Sequence, residues 1–155
     1  MNSGEFYDKG KVDDAVLALL YLTLHDGNRA WKNLDFDAMD RLHEKGLIGN
    51  PAGKAKSVFL TPDGLERCEQ LFLSHFCTAE TRAKVLADNA ARADATWKKF
   101  PPEKQQRILS AASCDKCDTS RPVAGPARKY AAGQLIIEGK CAACGSPVKY
   151  LAEFF

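Results

Sequence analysis

The segment that decides the fold of the C-terminal part runs from Cys114-Asp-Lys-Cys117 to Cys141-Ala-Ala-Cys144, two Cys-x₂-Cys pairs separated by 23 residues. A Cys-x₂-Cys turn lets two thiolates face one ion, and four thiolates complete the tetrahedral shell that Zn²⁺ prefers. Because a closed shell leaves no position for a reacting water, the ion is expected to be structural. The sequence therefore predicts one structural Zn²⁺ bound by Cys114, Cys117, Cys141 and Cys144. Two disulfides or an iron–sulfur cluster are the alternatives.

The residues around the second pair favour a β zinc ribbon over residues 113–155. Residues 134–138 are rich in strand formers, and residues 148–151 predict a returning strand. Gly145 follows the second pair, where such a turn commonly needs a positive φ. Residues 121–130 are predicted to form a loop in the long gap. Without the metal the whole ribbon is expected to unfold, because it has little core of its own.

Helical periodicity dominates the N-terminal part of the chain. Apolar residues recur at helical spacing over residues 12–24 and predict a first helix. A second helix is predicted over residues 35–45, with Phe36 in its apolar stripe and Gly46 as its C-terminal cap.

A short β-hairpin and a third helix follow. Residues 47–48 and 56–60 predict the two strands of the hairpin. Thr61 is a candidate N-cap, with Pro62 at the first helical position. The order helix, helix, glycine, hairpin, helix is that of a winged-helix domain, which is predicted over residues 11–77.

Two motifs carry a resemblance to known families. MDRLHEKGLI at residues 39–48, followed by KSVFLTPDGL at residues 56–65, is similar to a phrase common in the winged-helix superfamily. Residues 11–76 more closely resemble an uncharacterised family of small bacterial proteins, through the segments AVLALLYLTLHD, RAW, DRLHEKGLI and GKAKSV with the LT and GL that follow. The resemblance implies a winged-helix-like fold and brings no known activity, so it assigns no functional residues.

The middle of the chain is predicted to consist of connecting helices. An a/d pattern of period 3.5 runs through Ala79, Ala83, Leu86, Ala90, Ala93, Trp97 and Phe100. This seam either packs against the N-terminal domain or pairs with the same helix of a second chain, forming a homodimer through residues 79–100. Pro101-Pro102 ends the helix, and residues 103–112 predict a second one.

Size and composition agree with an α+β chain of small domains. The 155 residues are 45% hydrophobic and 27% charged, which argues against wholesale disorder. The predicted parts are a winged-helix-like domain over residues 11–77, connecting helices over residues 78–112 and a zinc ribbon over residues 113–155.

Positive charge is concentrated in the second half of the chain. Residues 1–77 carry a net charge of −3 and residues 78–155 a net charge of +5, so attraction to phosphate is expected mainly from the second half. The predicted helix over residues 35–45 has a net charge of −2 and is a poor insert for the DNA major groove. Phosphate contacts are predicted for Lys54, Lys56, Arg128 and Lys129. Tyr130 and Tyr150 are candidates for stacking on bases.

Familiar catalytic motifs are absent from the sequence. It contains no nucleophile elbow, phosphate-binding loop, dinucleotide fingerprint or HExxH motif, so no enzymatic activity is expected. No secretory signal is visible, and the apolar stretch at residues 16–24 is far shorter than the roughly 20 residues that span a bilayer. These features predict a cytoplasmic protein without a membrane partner.

Two functions remain open on these grounds. The favoured one is a bacterial regulatory protein that associates with nucleic acid, above all DNA, and takes part in transcription regulation. The alternative is a protein-interaction adaptor that uses the acidic N-terminal domain and the ribbon as docking surfaces. Steeply salt-dependent binding to nucleic acid would indicate the first, and one stoichiometric protein partner the second.

Overall fold

The computed structural model describes residues 6–32 and 34–154, except for the side chain of Phe154. Helices and strands both contribute, as expected for an α+β protein. The chain divides into two compact units between Arg82 and Ala83, which we call the N-terminal unit and the C-terminal unit. No helix in the described part combines the length and the apolar character needed to cross a bilayer.

In its described residues, the N-terminal unit combines three α-helices and a short 3-10 helix (Tyr21–Thr23) with a two-stranded sheet. Its elements are α1 (Lys9–Leu20), β1 (Arg29–Trp31), α2 (Phe36–Glu44), β2 (Ser57–Phe59) and α3 (Pro62–Phe76). α1 packs against both α2 and α3. Leu17 of α1, Met39 of α2 and Leu65 of α3 are fully buried, so the apolar periodicity predicted these three helices correctly.

Hydrogen bonds at both ends fix the length of α2. The Asp35 carboxylate accepts from the backbone N–H of Ala38 at 2.9 Å, which satisfies a free donor of the first turn. At the other end, the N–H groups of Gly46 and the next residue donate to carbonyls of the last turn, forming a Schellman motif. Gly46 has a φ of +74°, so the predicted C-terminal cap is confirmed.

β2 pairs with β1, and not with the strand predicted just before it. Ala30 of β1 lies opposite Val58 of β2 in the antiparallel register, and both side chains are buried. Of the predicted hairpin only a single bridge remains, between Ile48 and Leu60. The chain leaves the ladder at Pro51, which has no N–H to continue it. β1 itself was not predicted, because three residues are too few to show a period of two.

A single helix, α2, lies between β1 and β2 in the described part of that stretch. A helix-turn-helix consists of two helices joined by a turn of three or four residues. Here α1 and α2 are separated by residues 21–35, which include β1. The described residues ahead of β2 therefore provide no helix pair of that kind.

The described part of the C-terminal unit contains two α-helices, two small antiparallel sheets and a final 3-10 helix (Ala152–Phe154). Its elements are α4 (Ala79–Lys99, whose first turn precedes the division), α5 (Pro102–Ser110), β3 (Ala112–Cys114), β4 (Thr119–Arg121), β5 (Val123–Ala131), β6 (Gln134–Cys141) and β7 (Pro147–Leu151). β3 pairs with β4, and β6 lies between β5 and β7 in the second sheet. The strands predicted at residues 134–138 and 148–151 are confirmed within β6 and β7.

The loop predicted over residues 121–130 is wrong, because β5 pairs with β6 through most of that stretch. Gly125-Pro126 interrupts the strand pattern in the sequence. In the structure the register shifts between Ala124 and Ala127, so Gly125 and Pro126 lie in a bulge outside the ladder. A strand tolerates glycine and proline at such a position.

The two helices and the central strand of this unit share one hydrophobic core. It includes Trp97 of α4, Ile108 of α5, and Leu135 and Ile137 of β6. The connecting helices and the ribbon, predicted as separate parts, therefore pack together.

Only the second half of the predicted a/d seam of α4 packs in a hydrophobic core. Ala93 and Trp97 lie in the core of the C-terminal unit, and Phe100 packs against it. In the first half of the seam Leu86 is 52% exposed. The seam residues from Ala93 onward thus pack within their own unit.

Candidate functional site

Two tight turns bring the four predicted metal ligands to the same end of the C-terminal unit. Cys114 ends β3 and Cys141 ends β6, while Cys117 and Cys144 lie in the turns that follow. Each turn continues in the left-handed region, with a φ of +50° at Asp118 and +74° at Gly145. The expectation of a positive φ at Gly145 is confirmed. The second turn is closed by a 2.8 Å hydrogen bond from the Gly145 N–H to the Cys141 carbonyl.

The four sulfur atoms converge on one point. All four Sγ atoms lie within 4.8 Å of one another. The Cys114 and Cys144 sulfurs are 3.6 Å apart, and the Cys117 and Cys141 sulfurs 3.9 Å apart. A disulfide would need about 2.05 Å. These four cysteines therefore form a group that can hold a metal ion.

The centre is covered on one side and open on the other. Cys114 and Cys141 are buried and pack with Ala112 and Val148, whereas Cys144 is exposed. Two of the four sulfurs are therefore enclosed by apolar side chains, and the Cys144 side chain is accessible to solvent.

Hydrogen bonds within the cluster shift the pKa values of its thiols in different directions. Hydrogen bonds from Ser146 lower the pKa of Cys144 to about 6. A hydrogen bond from the Cys144 backbone lowers the pKa of Cys141. The side-chain hydrogen bond with Cys144 raises the pKa of Cys117 to about 12. Four thiolates this close repel one another, so full ionisation of the centre needs a cation.

Two of the four predicted phosphate-binding residues are engaged by side chains of their own unit. Arg128 of β5 forms an ion pair with Asp94 at 3.2 Å and lies over the ring of Trp97, 5.3 Å from its centroid. Lys129 forms an ion pair with Glu138 at 2.7 Å. Each residue therefore has a carboxylate partner, which it shares with a further lysine, Lys98 at Asp94 and Lys149 at Glu138.

The two tyrosines considered for base stacking also contact their own unit. Tyr150 is partly buried and donates from its hydroxyl to the Ile108 carbonyl at 2.6 Å. Burial raises the pKa of Tyr150 to about 12. Tyr130 packs against the core, and the Arg92 guanidinium lies 6.0 Å from its ring centroid.

Lys54 and Lys56 lie in the N-terminal unit, at the rim of a cleft of about 470 Å³. Lys32 and Phe36 also line it. Phe36, predicted in the apolar stripe of α2, is 61% exposed. It is the first residue of the helix and one of the residues that line the cleft. The cleft could not be predicted from the sequence, because the β1–β2 pairing and the hydrogen bonds from Lys32 to Pro51 and Gly53 bring its two segments together.

Comparisons with known proteins concern the N-terminal unit. A family described as "Domain of unknown function (DUF6429)" matches residues 8–78. The uncharacterized protein y4hR of Sinorhizobium fredii (strain NBRC 101917 / NGR234) is 58% identical over 65 residues, which make up 42% of this chain and 88% of that relative. The chain belongs to this family. No solved structure matches it. The expected membership of a small bacterial family is confirmed, and the four cysteines lie outside the matched residues.

Proposed function

We propose that the C-terminal unit is a zinc ribbon that binds one structural Zn²⁺ through Cys114, Cys117, Cys141 and Cys144. The sulfur separations carry this proposal. A tetrahedral Zn²⁺ with Zn–S bonds of about 2.3 Å places neighbouring sulfurs about 3.8 Å apart. The separations of 3.6 and 3.9 Å lie on either side of that value. Four thiolates leave no open coordination position, which favours a structural ion over a catalytic one.

Metal analysis of the purified protein tests this proposal. We expect one zinc per chain, and replacement by Co²⁺ should give the absorption of a tetrahedral thiolate site. Cys144→Ser should weaken metal binding, because it removes one of four ligands. Cys77→Ser is the matched control, since Cys77 lies outside the cluster, and it should retain the full zinc content. Metal-free protein, or equal zinc in both variants, would refute the site.

For the whole chain we propose a non-catalytic regulatory protein that associates with nucleic acid, with DNA favoured. The observation that supports it is a group of three lysines around the cleft of the N-terminal unit, Lys32, Lys54 and Lys56. Within the described residues none of the three forms an ion pair with a carboxylate. Lysines left uncompensated in this way attract phosphate. Arg128 and Lys129 contribute less, because a phosphate would first have to displace Asp94 and Glu138.

We do not propose that α2 binds in the groove of duplex DNA. Arg41 and Lys45, the cations in and after α2, both bind the buried Asp13. The exposed surface of the helix is left with Asp37, Asp40 and Glu44 among its charged residues. Phosphates repel such a surface, so contacts must come from the lysines beside the helix.

Fluorescence anisotropy titrations test the association. Labelled duplex DNA, single-stranded DNA and RNA are titrated with the zinc-loaded chain between about 50 and 200 mM salt. Binding to at least one of them should weaken steeply as salt rises. If none binds in a salt-sensitive way, the nucleic-acid function is excluded.

A protein-interaction adaptor is the second candidate function, because the β1–β2 pair exposes two aromatic side chains. On the outer face of the β1–β2 pair, Trp31 is 43% exposed and Phe59 46% exposed. Exposed aromatic side chains are typical of protein interfaces, and the net charge of −3 over residues 1–77 would suit a basic partner. Affinity purification should then recover one protein in stoichiometric amount, and Trp31→Ala with Phe59→Ala should release it. Together with no affinity for nucleic acid, that result would favour the adaptor.

A further inference from the structure

The cleft of the N-terminal unit combines three chemistries within one small space. It lies where the chain entering α2 faces the loop that follows Ile48. Its lining includes Lys32, Phe36, Asp40, Pro51, Lys54 and Lys56. Three ammonium groups, one aromatic ring and one carboxylate thus surround about 470 Å³, which is within the range of ligand sites in proteins.

Hydrogen bonds hold the ammonium group of Lys32 in a fixed position in the cleft. Its Nζ donates to the Pro51 carbonyl at 2.7 Å and to the Gly53 carbonyl at 3.0 Å. Its backbone N–H donates to the Lys56 carbonyl at 3.0 Å. The carbonyls hold the ammonium in place without neutralising it, and one N–H remains for a ligand. The same bonds hold the loop that carries Lys54 and Lys56.

Phe36 and Asp40 form the opposite wall. They are four residues apart on α2, so their side chains lie on the same face of the helix, one turn apart. Phe36 is 61% exposed, and Asp40 is exposed as well. An aromatic face is therefore available beside a hydrogen-bond acceptor.

We propose that this cleft binds a single-stranded nucleic acid, with one base stacked on Phe36 and the adjoining phosphates held by Lys32, Lys54 and Lys56. The proposal rests on the nucleic-acid function given above and names its site. Stacking on an aromatic side chain in a positively charged groove is the general mode of single-strand recognition. Asp40 repels phosphate, so it orients the strand with the backbone on the lysine side and the base on the helix side.

Two properties of the cleft select a single strand over other nucleic acids. In a duplex the bases are stacked inside the helix, and Phe36 could not reach a base face. A free nucleotide needs 70–90% of its surface buried, as small ligands generally do. This cleft is too open for that, with most of its lining exposed. A strand that continues across the rim gains further contacts that a mononucleotide lacks.

Asp40 adds a preference among bases. A carboxylate accepts hydrogen bonds from an exocyclic amino group, such as that of cytosine, and thymine has no such group. Oligo-dC should therefore bind more tightly than oligo-dT of the same length. Asp40→Asn should reduce this difference, because an amide is a weaker acceptor than a carboxylate.

The test compares variants of the full zinc-loaded chain with labelled single strands of about 12 nucleotides. The double variant Lys54→Gln, Lys56→Gln removes two positive charges from the cleft. The control Lys9→Gln, Lys11→Gln removes two exposed charges from the same unit outside the cleft. We expect a loss of about tenfold in affinity for the cleft variant, and a salt slope smaller by about 1.4, the value for two phosphate contacts on a single strand. The control should keep the wild-type slope.

Substitutions of Phe36 separate stacking from charge. Phe36→Leu keeps an apolar side chain but removes the ring, and should weaken binding by about 5- to 150-fold, the range for one base–aromatic stack. Phe36→Trp should retain binding, and oligonucleotide should quench its fluorescence. Phe76→Ala, which removes another exposed aromatic ring, is the control and should leave affinity unchanged.

The outcomes distinguish this site from the function on which it rests. If the chain binds single strands but all cleft variants behave like wild type, the site lies elsewhere and this inference is wrong. Tighter binding to duplex than to single strands would also overturn it. If wild type binds no nucleic acid, the nucleic-acid function itself fails, and the site with it.

Discussion

Replacement of Asp13 by asparagine tests how the N-terminal unit is held together. The Asp13 side chain is 2% exposed. It accepts hydrogen bonds from Arg41 Nε at 2.9 Å and from Lys45 Nζ at 2.8 Å, so it joins α1 to α2 and its C-terminal end. Removing one partner of a buried ion pair costs about 3–5 kcal/mol. Arg41 and Lys45 are 24% and 47% exposed, so both can turn to water. We therefore expect a loss of about 2–3 kcal/mol.

The pH dependence of this loss follows from the carboxyl group. Burial alone would raise the pKa of Asp13, but hydrogen bonds and charges from Arg41 and Lys45 outweigh it, and the pKa is lowered. In the unfolded chain the pKa is about 3.9. The stabilisation is therefore fully present above that value and is lost as pH falls through the lower folded pKa. The difference between wild type and Asp13→Asn should be constant from about pH 5 to 8 and shrink below about pH 4.

Urea and thermal unfolding measure this difference. A Trp97→Phe background leaves Trp31 of β1 as the fluorescent reporter of the N-terminal unit. We expect the Tm to fall by about 10–20 °C, since 1 kcal/mol corresponds to about 4–8 °C for a unit of this size. Asp14→Asn is the control, because Asp14 is 40% exposed and 3.5 Å from Arg67. Equal losses in both variants, or an Asp13→Asn deficit unchanged near pH 3, would refute the reasoning.

Three further outcomes follow from the packing. Gly64→Ala should destabilise the N-terminal unit by about 1–3 kcal/mol in urea titrations, because the new Cβ would clash with the Leu47 carbonyl oxygen. Tyr150→Phe should cost the C-terminal unit about 1 kcal/mol through loss of its hydrogen bond, while metal analysis shows unchanged zinc. Chelation should loosen the cysteine turns but leave the core around Trp97 folded, so Trp97 fluorescence in a Trp31→Phe background should change little. Complete loss of the Trp97 signal would show that the metal holds the whole unit.

The four-cysteine centre was predictable from the sequence because each half of it is formed by residues that are close together in the chain. Each Cys-x₂-Cys turn fixes two sulfurs by itself, and a tetrahedral ion allows only a few ways to join two such turns. The ends of α2 were predictable for the same reason, since Asp35 and Gly46 act on backbone groups within one turn. Features of this kind need no knowledge of the tertiary structure.

Features that depend on distant partners were missed. β1 is three residues long and gains its partner from β2, more than 20 residues later. β5 contains Gly125 and Pro126, which break the strand pattern, and only pairing with β6 shows that they form a bulge. The chelation result expected from the sequence changes for a similar reason. The ribbon was taken to have no core, but β6 shares Leu135 and Ile137 with the helices before it.

The pairing of charges is a property that the sequence alone could not provide. The second half of the chain is the basic half, yet Arg128 and Lys129 are paired with Asp94 and Glu138. The first half is acidic, yet it contains the lysine-lined cleft. Folding decides which charges are neutralised, and a net charge summed over a segment cannot express this. Asp13 pairs with both cations of the α2 region, while Lys32 donates to backbone carbonyls and has no carboxylate partner among the described residues. The folded structure shows which cations have carboxylate partners, and the total charge of a segment does not.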